Sequence, residues 1–481
     1  MLLTMPVTNC ASNTLAPYVG NLNTHQVLHL YRRMGFGASP DQMTAGLTKS
    51  ASELVDQILD EAMALPLATP PEWADWLVSD YDDFNEQRQE QFISWVFTWV
   101  NDMIANGFRE KMALFWHNHF VTRFETYQCP SQLYKYHKLL QQHAFGNFKT
   151  FTHEMGKTPA MLVFLNGVQN TNIEPNENYA RELYELFTLG RDNGYTQADI
   201  QETARALTGW VGYFSPCGPI GFVDVYHDEG EKTIFGRTGN WDYDGLHDVL
   251  FEERADTIAN FICGKLYQHF VHPEIDEVIV GELAATFKNA NFELAPVLRQ
   301  LFKSEHFFDP YVIGAVMKSP LDCLIGFVRE SGIPINDEVI QGVGYLGFNL
   351  GHTLFSPVDV AGWPGNRSWI DSNTLTGRWQ GLDFIIFYIY ENQPEFFRQF
   401  AKDLTNNSND PNFIAQVFAD YFIPNGLYDP EMYDRTATVL KWEVPQNYFD
   451  SGDWNLEWET VPVQVALMLR HLARLPEFQM Q

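Results

Sequence analysis

Pro175-Asn176-Glu177-Asn178-Tyr179-Ala180-Arg181-Glu182-Leu183-Tyr184-Glu185-Leu186-Phe187-Thr188-Leu189-Gly190 reads as a helix with both ends marked. Asn176 can cap its start, and Gly190 can take the left-handed conformation that closes it. Tyr179, Leu183, Leu186 and Phe187 recur at helical spacing and make a core face. Beside that face runs a polar stripe of Asn178, Glu182 and Glu185, and Glu182 borders the apolar side. Glu177, Arg181 and Glu185 form an i, i+4 ladder. A solvated face would gain only about 0.3 kcal/mol per ion pair from such a ladder. Alternatively, a carboxylate, a guanidinium and an amide are held on a rigid element for chemistry.

The flanking sequence is helical in both directions. Upstream, His25 to Met34 reads as a helix ending at Gly35-Phe36-Gly37, and Ser39-Pro40 starts another. Residues 85–120 form a long region rich in Trp and Phe, with a stop near Gly107. Helical segments follow around residues 130–144 and 148–165. Downstream, Thr196-Gln197-Ala198-Asp199 resembles a capping box leading a helix to Thr208-Gly209-Trp210. Residues 211–250 are rich in Gly, aromatics and Asp and read as a hairpin or ordered loop, with a short strand at Gly221 to Tyr226. Helices resume at 251–271, 275–303 and 310–331. Residues 342–371 form a second Gly- and Pro-rich loop, and the remainder is helical with insertions. The expected fold is mostly α: one large, irregular multi-helix domain over residues 22–481, with two Gly/aromatic-rich loop regions, a short hairpin and an N-terminal arm over residues 1–21.

The totals exclude some classes. The chain has 481 residues, 45% of them hydrophobic, which is a globular composition. Its 31 Lys+Arg against 61 Asp+Glu give a formal charge of −30. With no basic run, that surface repels phosphate backbones and anionic lipid, so no nucleic-acid partner is expected. The 5 cysteines (Cys10, Cys129, Cys217, Cys263 and Cys323) are scattered with no CxxC. The sparse, odd count points to reduced thiols and away from a disulfide framework. The N-terminus lacks the pattern of a signal peptide, which favours a cytoplasmic over an exported protein. No apolar run is long enough to span a bilayer.

His117-Asn118-His119 ends the aromatic region. On a continuing helix, residues two apart point in different directions, so the imidazoles share a metal only if the helix stops there. Otherwise they bond to backbone carbonyls at an interior helix end. His227-Asp228 sits in the first Gly-rich region, either as an acid–base or ligand pair or as an ordinary charged turn. Gly342-Val343-Gly344-Tyr345-Leu346-Gly347 matches the dinucleotide glycine pattern, but lacks the strand before and the helix after. Asp359, Trp363, Asn366, Arg367 and Trp369 belong to an aromatic loop that either stacks a sugar ring or plugs the core. The nucleophile elbow, phosphate loop, HExxH and complete EF-hand are absent.

Several stretches together resemble one family. They are Leu28-His29-Leu30-Tyr31-Arg32-Arg33 with Phe36-Gly37; Phe115-Trp116-His117-Asn118-His119-Phe120; the helix quoted first; Tyr195-Thr196-Gln197; Ala204-Arg205-Ala206-Leu207-Thr208-Gly209-Trp210; His227-Asp228; Lys318-Ser319-Pro320; and Val360-Ala361-Gly362-Trp363-Pro364-Gly365. In this order they resemble the bacterial family called domain of unknown function 1800, over nearly the whole chain from about residue 22. The resemblance implies a mostly helical protein and no particular reaction. It also implies a partner from domain of unknown function 1501, a family that looks like the phosphatase and sulfatase superfamily, and export for many members.

The first expectation is a metal-assisted hydrolase acting on a glycan or ester. His117, His119, Glu182 and Asp228 would hold a divalent ion. Glu182, His119 and His227 would be catalytic, and Arg181, Trp363, Arg367 and Trp369 would bind substrate. The alternatives are a non-catalytic acidic scaffold for a surface or secreted hydrolase, and a glycan-binding module built on the two tryptophans.

Overall fold

Capping chemistry marks many helix starts as expected. Ser39 pairs with Gln42, Ser50 with Glu53, Thr196 with Asp199 and Ser319 with Asp322 in reciprocal capping boxes. The computed structural model describes residues 13–481. Among them are twenty-three α-helices and two small antiparallel two-stranded sheets. The helices share one hydrophobic core that runs from Leu15 to Phe478, so the chain is a single mostly-α domain. The described part of the expected arm lies on the body, where Tyr18 N donates to Lys303 O at 2.7 Å. Residues 1–12, with Cys10, lie outside the described residues.

The aromatic region is two helices, Phe84–Asn106 and Phe108–His119, broken at Gly107 with φ +55° and ψ −103°. Every residue of Phe108–His119 except Asn118 is buried. A helix buried all round must satisfy each polar group it carries. Glu110 accepts from Arg109 Nε at 2.7 Å, from Trp99 Nε1 at 3.0 Å and from Gln141. Lys111 pairs with Asp322 of the helix Pro320–Ser331. Arg32 donates to Glu330 through Nε at 2.6 Å and Nη2 at 2.9 Å. Arg33 donates to the carbonyls of His269 and Phe270, capping the end of the helix Ala255–Phe270. The Arg32-Arg33 pair therefore clamps two helices that line the site.

Four expectations change. The helix quoted first is α-helical only over Glu177–Glu182 and widens to a π-helix over Leu183–Thr188. There Leu189 N donates to Tyr184 O at 2.9 Å, and Thr188 Oγ1 donates to Leu183 O at 2.6 Å. Gly190 closes the element at φ +90°, where a Cβ would press within 3.0 Å of the Phe261 ring. The second loop region is shorter than expected, because Gly342 to Gly347 lie inside the helix Asp337–Asn349. Small residues there admit Phe97 and Leu321 of neighbouring helices. The first loop region forms two short hairpins, pairing Trp210–Gly212 with Ile220–Phe222 and Lys232–Ile234 with Arg237–Gly239. Finally, Cys129 and Cys217 form a disulfide across 88 residues, against the expectation of reduced thiols. The bond joins the start of the helix Pro130–Gln142 to the loop between the first two strands, a meeting that sequence spacing does not reveal. Cys263 and Cys323 are buried free thiols.

Candidate functional site

The end of the helix Phe108–His119 sends three consecutive side chains to three different segments. His117 accepts from Phe355 N through Nε2 at 3.0 Å, so Nδ1 carries the proton toward the Tyr136 hydroxyl at 2.8 Å. Tyr136 in turn donates to Phe120 O at 2.7 Å. Asn118 accepts from Trp363 N at 2.6 Å and donates to Trp363 O at 3.2 Å. Gly362 passes so close to Asn118 that a Cβ would fall 2.2 Å from its Oδ1, and its φ is +86°. His119 donates through Nε2 to Phe187 O at 3.0 Å, a carbonyl left free where the π-helix ends. Its Nδ1 is therefore an acceptor, and Lys265 Nζ lies 3.0 Å from it.

These attachments enclose a cleft of about 470 Å³. One wall is Lys111, Phe115, Asn118 and His119; another is Lys265, Gln268 and His269 of the helix Ala255–Phe270. The loop residues Trp363, Asn366 and Trp369 close a third side, with His352, Ser319, Asp322 and Gln481 at the base. Trp363 is 5% exposed and sits edge-on to His352 at 4.5 Å, so it is mostly plug. Trp369 is only partly buried and lies 4.7 Å from the same imidazole. Stretches that resembled one family in sequence, Phe115 to Phe120, Lys318 to Pro320 and Val360 to Gly365, thus contribute to one cavity.

Burial sets the ionisation. Desolvation brings the Lys265 ammonium down to about 8. Burial, aided by the Lys265 charge, holds His119 well below its usual value. Burial also brings His352 to about 3 and His269 well below the ordinary range, where Lys111 and Arg33 add to the effect. These imidazoles are neutral at physiological pH. Burial would raise the Asp322 carboxyl, but Lys111 and the Ser319 cap outweigh it and hold it well below the usual carboxylate range. Asp322 also accepts from Gln481 Nε2 at 3.2 Å. Three residues of the cleft carry buried nitrogens without a protein partner: His269 Nε2, His352 Nδ1 and Trp363 Nε1. Such atoms are where a ligand or water is expected to bond.

The structure brings His119, Trp363 and Trp369 to this cleft and leaves the other expected site residues off its wall. His117 lies behind Trp363, with ring centroids 5.5 Å apart, and burial brings its imidazole to about 3. Arg367 is exposed. Arg181 bonds Glu177 at 3.0 Å, Glu185 at 3.4 Å and Gln197 at 3.0 Å, the solvated ladder of the first alternative. Glu182 is half-buried, and burial followed by the neighbouring Glu185 raises its carboxyl. His227 Nδ1 lies 3.0 Å from Thr208 O. Asp228 takes Arg205 at 2.7 and 3.0 Å, and the Arg205 bonds lower its carboxyl. The His-Asp pair therefore anchors a hairpin to the Ala204 to Trp210 stretch.

The expected metal set does not fit. Both ring nitrogens of His117 and of His119 are already committed, and Asp228 is bound by Arg205. No group of three or more His, Cys, Asp or Glu is placed to hold a metal ion among the described residues. Sequence reasoning missed Lys111, Lys265, His269, Asp322 and His352. Asp322 alone carried a signal, three residues after the Ser319 cap.

The family model described as "Protein of unknown function (DUF1800)" matches residues 29–480. The chain belongs to this family. Comparisons with curated proteins and with solved structures return no match. No helix among the described residues is long and apolar enough to cross a membrane.

Proposed function

We propose that this member of the family binds a saccharide-type ligand in the cleft and that hydrolysis is the reaction to seek there. One observation carries the reading: a cavity of about 470 Å³ combines an aromatic side, Trp363 and Trp369, with amides, the Ser319 hydroxyl and neutral imidazoles. Sugars present apolar ring faces and polar edges, and such a lining matches both. Trp369 is the stacking surface, the mostly buried Trp363 backs it, and Asn118 holds the loop. His269 and His352 are neutral, have nitrogens to spare, and can orient a hydroxyl or an attacking water. The Cys129–Cys217 disulfide favours an oxidising compartment over the cytoplasm.

Tryptophan fluorescence and a reducing-end assay on the full chain, with a panel of neutral and acidic oligosaccharides, test this reading. At least one saccharide is expected to bind, and Trp369→Ala to weaken it by about tenfold. Binding unaffected by Trp369→Ala, or no binding across the panel, overturns it.

A second reading, a scaffold for a protein partner, is favoured by a separate feature. Tyr345, Phe348, Phe384 and Phe387 are 54–62% exposed on the neighbouring helices Asp337–Asn349 and Ser372–Asn392. Exposed aromatics in one area mark interaction surfaces.

A further inference from the structure

Resting on the reading of the cleft as a saccharide site, we propose that its ligand carries an acid group, a carboxylate or a sulfate, that pairs with Lys265 Nζ on the cleft wall. The argument is one of unmatched charge. Three formally charged side chains line the cleft: Lys111, Lys265 and Asp322. Asp322 is fully taken, by Lys111, by Ser319 N at 3.1 Å and by Gln481 Nε2 at 3.2 Å. Lys265 has no carboxylate within ion-pair reach among the described residues, although the chain carries twice as many acids as bases. Its hydrogen bond is to a neutral acceptor, His119 Nδ1, and its Nζ lies 5.3 Å from the centroid of the Phe261 ring. An ammonium has three donors, so two remain for a ligand.

The surroundings hold that amine ready. Phe187 O fixes the Nε2–H tautomer of His119, which leaves Nδ1 able only to accept. His119 is thus a positioning residue that engages one Lys265 hydrogen on the cleft wall and holds the amine there. The charged and titratable side chains sharing the cleft with Lys265 are Lys111, His119, His269, Asp322 and His352, and the imidazoles are neutral. Lys111 and Asp322 pair with each other, which leaves Lys265 as the unpaired charged side chain of the lining, in a chain of net charge −30. A surface that negative repels acidic ligands, so a lone cation inside a cleft marks where one is tolerated. A carboxylate or sulfate there would meet the amine in a partly desolvated setting, where charge-assisted bonds are strong.

The test uses the intact full chain and matched probes: a galacturonate trisaccharide and its methyl ester, and a sulfated galactose trisaccharide and its desulfated form. Affinity is read by calorimetry. At pH 7 the acidic member of at least one pair is expected to bind about 10–100-fold more tightly than its neutral counterpart. Whichever pair shows the larger ratio identifies carboxylate or sulfate. Lys265→Met is expected to abolish the ratio while keeping the weaker neutral binding, and Lys265→Arg to keep much of it. The preference is also expected to fall as pH rises through about 8, where the Lys265 ammonium of the ligand-free protein loses its proton. Equal binding of acidic and neutral probes overturns the acid-group inference and leaves the saccharide reading standing. A preference that survives in folded Lys265→Met overturns the role of Lys265. No binding by any of these probes overturns the acid-group inference, and the wider oligosaccharide panel decides the saccharide reading.

Discussion

His117-Asn118-His119 and His227-Asp228 carry similar chemistry in similar settings, at the end of a helix and in the loop region after one. The structure treats them differently. The first triplet is buried and reaches three segments distant in sequence: Phe355, Trp363, and Phe187 with Lys265. The second is partly exposed and reaches back about twenty residues, to Arg205 and Thr208. A polar motif that gathers remote segments builds a cavity between them. One that bonds its own neighbourhood fixes a turn. What separates the two is the sequence distance of the partners rather than the identity of the residues.

The largest expected effect tests the first half of that comparison. Asn118→Ala removes both bonds to the Trp363 backbone and strands a buried N–H and C=O. The cost is about 3 kcal/mol by chemical denaturation. Saccharide binding is expected to fall with it, because the loop carrying Trp369 loses its anchor. A variant with unchanged stability would show that the loop is held by its packing alone.

The second effect is smaller and tests the other half. Asp228→Ala breaks the paired bonds to Arg205 and leaves the turn at Gly230 without its acceptor. Both side chains are mostly but not fully buried, so a loss of about 1.5 kcal/mol is expected, with ligand affinity unchanged. The Arg205 bonds hold the Asp228 carboxyl below its usual value. Its contribution is therefore present above the ordinary carboxylate range and disappears as pH falls through the lowered value. Lost binding in a folded Asp228→Ala protein would tie the hairpin to the cleft after all.

The same contrast explains what the sequence made legible. Helices, their caps, the break at Gly107 and the closing Gly190 rest on local rules and were readable. The helix over Gly342 to Gly347 was missed because glycines that admit Phe97 and Leu321 look, in sequence, like a loop. The π-helix was hidden for a related reason. Its signature is a shift of bonding by one residue, and the stretch keeps its apolar spacing either way. In the site, His119, Trp363 and Trp369 stood out because they are chemically distinctive in dense motifs. Lys265, His269 and His352 are single residues in ordinary helical or loop sequence, and only packing gives them a shared address. The disulfide belongs with them, since two cysteines 88 residues apart carry no local sign of pairing.

The smallest expected effect falls on Glu182, the residue that first suggested chemistry. Burial and the neighbouring Glu185 raise its carboxyl above the ordinary value, so its charged form is the disfavoured one. A raised carboxyl weakens the fold above its folded-state value, and the penalty vanishes below the unfolded value. Glu182→Gln removes that penalty. Because the group is half-exposed and screened, the gain at pH 7 is only about 0.3 kcal/mol, shrinking toward zero in acid. Thermal melts at pH 7 and pH 4 measure the difference. Saccharide affinity is expected to stay level, since Glu182 is off the cleft wall and its helix touches the site through the Phe187 carbonyl, a backbone group. If Glu182→Gln instead lost binding or turnover with its stability intact, the polar helix would be part of the chemistry, and the division between motifs that gather and motifs that anchor would fail at the element that first set the reading of this chain.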